Sequence, residues 1–285
     1  MPDCVVAKEN LGLSRCNKFP ALIKGIITTP DAFYLSPANA ALQAQWQAGI
    51  EDVASERIYL WPWFVGMENI SEEAVYEETP LAYLAVRDGN YRFRFHIKEN
   101  LCIHRAMYSH RANQGRAFLI DTDNNIIGTL NEAGTEFKGF SIQLLNTEKL
   151  MFSDGSVSSK SPLVLALKNN KEFDKDGYIV TLDEVNDLVR IVDVTITVNT
   201  QTTASIVATV TVTCDGSKVN GLLEADFKLL NGAGAAQSID TVTEVDGVYT
   251  FTPTTTFADG TLGLQLAASL STDPYEADAA TINVP

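Results

Sequence analysis

The last ninety-five residues, 191–285, constrain this chain more than any other stretch. They break into short runs of alternating or β-branched residues near 192–198, 204–214, 225–230, 238–245, 248–253, 261–268 and 279–284. Successive side chains of a strand point to opposite faces, so such runs bury one face and hydrate the other. Asp246-Gly247, between two of these runs, is a hairpin signal, because a two-residue turn needs positive φ at both positions. The stretch contains no Arg, no His, no Trp and a single Cys. It therefore lacks the residue clusters that enzymes need.

Seven strands in this length predict an immunoglobulin-like β-sandwich. The Cys…Trp…Cys signature of antibody domains is missing, so the core has to be aliphatic with Phe227, Tyr249 and Phe251. No Pro/Gly-rich linker precedes it, and the chain is read as a β-rich assembly domain, 1–190, joined closely to a sandwich, 191–285. Of the formal net charge of −15, the sandwich carries −9, with 11 acids against Lys218 and Lys228. Such a surface repels nucleic acid and favours solubility. No apolar run approaches the ~20 residues of a membrane span. The N-terminus lacks a basic-then-apolar leader, so synthesis in a cytoplasm without general secretory export is the expectation. Cys4, Cys16, Cys102 and Cys214 form no CxxC, and thiols are the expectation for all four; a Cys4–Cys16 pair is conceivable but fits a reducing cytoplasm poorly.

In the first domain, Ser36-Pro37 is a helix start, with Ser as N-cap and Pro at the first helical position. Leu42, Trp46, Ile50 and Val53 follow at helical spacing and predict a helix from 37 to about 54. Residues 57–64 read as a strand broken by Pro62. Residues 91–98 alternate: Tyr91, Phe93, Phe95 and Ile97 point one way, Arg92, Arg94, His96 and Lys98 the other. Residues 101–109 suggest a short helix. A hairpin is expected from 117–120 and 126–130, with further strands at 137–145, 149–152 and 163–167. Leu182, Val185 and Leu188 suggest a helical turn before the second domain.

Several constellations invite chemistry. Asp121-x-Asp123-x-Asn125 resembles the opening of a calcium loop, in which alternate oxygens converge on a hard cation. Ile126 stands where that loop wants Gly, so Asp121, Asp123 and Asn125 are weak metal candidates, and an Asx-rich hairpin turn is favoured. His104 and Ser109 with Asp121 can be drawn as a triad, but no nucleophile turn accompanies them. Trp46, Trp61 and Trp63 could stack on sugars, although their apolar settings favour core packing. No cofactor and no enzymatic activity is expected.

The one strongly positive region is 92–116, with Arg92, Arg94, Lys98, Arg105, Arg111 and Arg116 against Glu99 alone. As a nucleic-acid face it would place its aromatic residues on the wrong side of the strand. It is read instead as a basic strip, Arg92, Arg94 and Lys98, matched to an acidic strip, Glu72, Glu73, Glu77 and Glu78, on a neighbouring copy.

A mixed β domain with one amphipathic helix and an acidic immunoglobulin-like domain after it resembles the major tail (tail tube) protein of long-tailed bacteriophages. The resemblance lies in the helix of 36–53, the strand of 91–98, the segment FSIQLLNTEKLMFSDGSVSSKSPLVLAL (140–167) and the terminal sandwich pattern. It implies a tail-tube-like β fold, self-assembly into stacked rings (usually hexameric) and a lumen through which DNA passes without sequence-specific binding. It also implies other phage tail or capsid proteins as partners, no membrane, and location in the virion after synthesis in the host bacterial cytoplasm. Capsid or neck accessory proteins carry similar sandwiches and form one alternative; a carbohydrate-binding module is the other.

Overall fold

The computed structural model describes residues 20–79, 82–87, 89–111, 115–265, 267 and 274–284; the side chains of 77, 79 and 82–87 are outside that description. The protein is mainly β, with 45% strand against 14% helix. It divides into two compact units, Met1–Gly49 with Glu56–Leu188, and Ile50–Ser55 with Val189–Pro285.

The first unit runs β1 (Ile23–Thr29), α1 (Pro37–Ala40), α2 (Gln43–Ile50), β2 (Tyr59–Leu60), β3 (Phe64–Asn69), β4 (Val75–Thr79), β5 (Ala82–Arg87) and β6 (Arg92–Ile97). It continues with α3 (Leu101–Ser109), β7 (Arg116–Asp121), β8 (Asn125–Leu130), β9 (Phe137–Lys138), β10 (Phe140–Thr147), β11 (Ser161–Leu167), α4 (Asn170–Asp174) and β12 (Gly177–Thr181). Ten strands form one sheet, in the order β12-β8-β7-β10-β11-β6-β3, with β1 on β7, β2 on β1 and β9 on β8. The sheet is a curled half-barrel. β4 and β5 pair only with each other among the described residues.

Both faces of the sheet are covered, which explains why β7 and β11 are apolar runs rather than alternating ones. On one face Phe93, Phe95 and Ile97 of β6 join Leu163, Leu165 and Leu167 of β11, Ala117 and Leu119 of β7, and Met107 of α3. On the other, Trp46 of α2 meets Phe118 edge-on at 4.9 Å and Phe137 at 6.5 Å. Its Nε1–H donates to the Ala40 carbonyl at 2.8 Å, so the one polar atom of the buried indole is satisfied.

The helix expected over 37–54 is two helices. Ser36 caps the first, its Oγ accepting from Asn39 N at 3.2 Å. Leu42 N then bonds Asn39 O and Gln45 N bonds Leu42 O, three-residue steps that break the α ladder. Trp46 and Ile50 are buried, while Leu42 and Val53 are exposed, so only half of the anticipated stripe has a surface to pack on. Residues 149–152 are not a strand; one bridge, Met151 to Lys160, closes that loop. Leu182, Val185 and Leu188 are buried around a 3-10 turn, Val185–Asp187.

The second unit contains β13 (Val192–Gln201), β14 (Ile206–Val212), β15 (Phe227–Asn231), β16 (Ile239–Val245), β17 (Val248–Pro253), β18 (Gly260–Leu264), β19 (Tyr275–Ala277) and β20 (Ala280–Ile282). One sheet has the order β16-β17-β14-β13-β19, the other β15-β18-β20. They share one core, in which Phe227 and Leu229 of the smaller sheet meet Val194, Ile206, Tyr249 and Phe251 of the larger. Tyr249 ties the buried hydroxyl down by donating to Val219 O at 2.8 Å and accepting from Leu222 N at 3.3 Å. Asp246 and Gly247 turn the β16–β17 hairpin with φ of 50° and 70°. β19, which pairs in parallel with β13, was not among the seven expected strands: three residues are too few to show alternation.

Candidate assembly surface

β6 places Arg92, Arg94 and His96 on the side of the sheet away from Phe93, Phe95 and Ile97. β3 runs antiparallel beside it and puts Glu68 opposite Arg94. Glu68 takes Arg94 Nη1 at 3.1 Å on Oε2 and His96 Nε2 at 2.9 Å on Oε1. Hydrogen bonding to His96, then to Arg94, holds the Glu68 carboxyl below its ordinary range. Arg94 also reaches Glu148 at 3.2 Å, and its pKa is raised, first by the hydrogen bond to Glu68 and then by the charge of Glu148. Arg92 lies 3.4 Å from Glu72. Further along, Arg116 pairs with Glu172 at 3.5 Å.

Two of the three residues of the expected basic strip, Arg92 and Arg94, are thus matched within one chain, and Glu72, read as a partner on a neighbouring copy, is Arg92's own. Sequence distance hid this, because the carboxylates come from β3, from the segment after β10 and from α4. Glu73 and Glu78 are exposed, and the Glu77 side chain lies outside the described residues. Lys98 is exposed, and so are Arg105 and Arg111 of α3. None of these three joins an ion pair among the described residues.

Asp121, Asp123 and Asn125 do not fit a cation site. The Asp121 carboxylate is fully buried and accepts four N–H groups. Asp123 N and Asn125 N, both at 2.9 Å, take Oδ1; Asn125 Nδ2 at 2.8 Å and Ala21 N at 3.2 Å take Oδ2. Asn125 Oδ1 is taken by the Thr181 hydroxyl at 2.7 Å. The oxygens that would have to face a metal face donors instead, and the Asp123 side chain points to solvent. The motif is the brace of the β7–β8 hairpin.

The drawn triad is not assembled. His104 Nδ1 is 3.0 Å from Ser161 Oγ, which is 1% exposed, while Ser109 Oγ donates to its own helix at Ala106 O. Trp46 and Trp61 are core residues, Trp61 donating to Thr28 Oγ1 at 2.9 Å, so neither offers a face to a sugar. Trp63 is half-buried, with Lys24 Nζ 5.4 Å from its ring. A cleft of about 390 Å³ opens beside α4, bordered by Glu72, Asn90, Tyr91, Asn170 and Asp174. Its polar groups satisfy one another: the Tyr91 hydroxyl donates to Asp174, which together with burial pushes the phenol up to about 12.

The expectation of thiols needs correction. Cys102 and Cys214 are both disulfide-bonded; Cys4 and Cys16 lie outside the described residues. Sequence spacing says nothing about which sulfurs a fold brings to bonding distance.

No protein-family model matches this chain, and no curated protein matches it either.

Proposed function

We propose that this chain is a virion structural protein of a bacteriophage, the tail tube subunit, which assembles into stacked rings around a DNA conduit. The observation that carries the reading is the curled half-barrel sheet of the first unit. Its end strands, β12 and β3, have a ladder neighbour on one side only among the described residues. An open sheet edge presents unpaired N–H and C=O groups, and strands from other copies are the natural way to satisfy them. The β4–β5 hairpin, paired only with itself among the described residues, is a second such element; an isolated two-stranded hairpin is marginal in water and gains by docking. The second unit, five strands facing three over one core, is read as an immunoglobulin-like sandwich that decorates the outside. The net charge of −15 suits a conduit that lets DNA pass without holding it.

Negative-stain microscopy and light scattering of the full-length protein test the reading. Rings or tubes are the expected result. Monomers at every concentration would overturn the tail assignment and favour a decoration protein of the capsid or neck.

A further inference from the structure

Two surfaces of the first unit carry opposite charge that forms no ion pair between them among the described residues. α3, which packs on β10 in the middle of the sheet, turns one face to the core through Ile103 and Met107. It is held there by its Asn100 cap (Ile103 N to Oδ1, 2.9 Å), by His104 on Ser161 and by His110, whose ring is tilted against Tyr59 with centroids 4.5 Å apart. The opposite face is a stripe of Leu101 (54% exposed), Arg105 and Tyr108 (47% exposed), at i, i+4 and i+7. Arg111 extends it, its guanidinium 4.4 Å above the Tyr108 ring, and Lys98 precedes it. Leu, Tyr and Arg on a rigid helix face, three cations and no paired acid, is the composition of a contact surface rather than of a solvated one.

At the β12 edge of the sheet, the turn after β12 buries Leu182, Val185 and Leu188 and exposes Asp183, Glu184 and Asp187. The β7–β8 hairpin tip adds the exposed Asp123, and Asn124 Nδ2 lies 3.5 Å from Asp183 O. Lys24, held by Asn124 and Asn186 at 2.8 and 2.9 Å, lies beside this turn. Four exposed carboxylates therefore belong to the turn and the neighbouring hairpin tip. No ion pair joins this turn to α3 within the chain among the described residues.

We infer that α3 of one copy docks on the Asp183–Asp187 turn of the next, with Arg105 and Arg111 facing Asp183 and Asp187. Two different patches that complement each other make a head-to-tail contact, which closes into a ring or runs on as a filament; a self-complementary patch would stop at a dimer. The inference rests on the self-assembly proposed above and names the surfaces that drive it. It replaces Arg92 and Arg94, whose carboxylates are their own, with the cations that remain available.

The test uses the full chain with two double variants, Arg105→Glu/Arg111→Glu and Asp183→Lys/Asp187→Lys. All four residues are exposed, so circular dichroism and Trp fluorescence should match wild type. Each variant alone should need at least about tenfold more protein to assemble, as expected for loss of two interfacial charge pairs. The equimolar mixture should assemble as wild type does, because each reversed face then meets a reversed partner. A misfolded variant would not be rescued by mixing. If wild type assembles and either double variant assembles equally well, or the mixture stays dispersed, the docking is wrong while ring assembly stands. If wild type itself never assembles, the proposed function fails and the docking with it. Normal assembly of Arg105→Glu/Arg111→Glu accompanied by loss of DNA retention in a gel shift would mark α3 as a nucleic-acid face and also overturn the inference.

Discussion

Replacing Asp121 tests whether the motif that resembles a cation loop is a brace. In Asp121→Ala the four N–H groups on the carboxylate lose their acceptor at once. Ala21 is half-buried and Asp123 exposed, so water can reach their amides. Asn125 is 3% exposed, so its backbone N–H and its Nδ2 each lose a buried acceptor. A buried unsatisfied donor costs roughly 1–3 kcal/mol, so two cost about 4 kcal/mol. Asp121→Asn keeps one acceptor oxygen but turns an amide toward two existing donors, and should lose about half as much. The readout is specific: all three tryptophans, Trp46, Trp61 and Trp63, lie in the first unit. Trp fluorescence in a urea titration therefore reports that unit alone, which avoids treating a two-unit chain as one transition. The cation alternative makes the opposite prediction, a wild-type stability that rises with millimolar calcium and a variant that no longer responds. A loss below about 1 kcal/mol for Asp121→Ala would falsify the brace. So would calcium stabilisation of the wild type.

In the second unit, Gly247→Ala puts a Cβ at φ +70°, 2.7 Å from Lys218 Cβ, and should destabilise that unit by about 1–2 kcal/mol while the Trp transition stays put; circular dichroism melting checks it. An unchanged melt would mean the turn can flip to another type. Tyr91 should titrate near pH 12 rather than near 10, seen as phenolate absorbance lost in Tyr91→Phe. Its raised pKa stabilises the fold fully below pH 10, and that contribution fades as pH climbs towards 12. A Tyr91 phenolate forming at the ordinary pH would show that the bond to Asp174 is not kept in solution.

Strands with one wet face were legible in the chain. Residues 92–97 alternate because β6 has Phe93, Phe95 and Ile97 under the sheet and charged groups on top, and the Asp246-Gly247 turn follows from the need for two positive φ values. Strands lacking either signal were harder to see. β12 is five residues that follow a short helix, and β19 is three. The continuous helix over 37–54 failed for a related reason. Spacing shows which residues could share a face, but the surface that receives them is made by β7 and β9, far along the chain.

The site residues divide in the same way. Residue types and local charge excess, such as the positive stretch 92–116 and the −9 of the last ninety-five residues, are properties of composition and need no fold. Whether a charge is spent or available is not local. Among the described residues, Arg92, Arg94 and Arg116 meet carboxylates from β3, from two loops and from α4, whereas Lys98, Arg105 and Arg111 join no ion pair, and all six look alike in the sequence. The sequence by itself determined that this is a mainly β protein with an acidic, aliphatic-cored terminal unit, because alternation and charge act over a few residues. Only the tertiary structure decided that Asp121 braces a hairpin, that Cys102 and Cys214 each take part in a disulfide and that Arg105 and Arg111 join no ion pair among the described residues, because each depends on which groups from distant segments meet within a few ångströms.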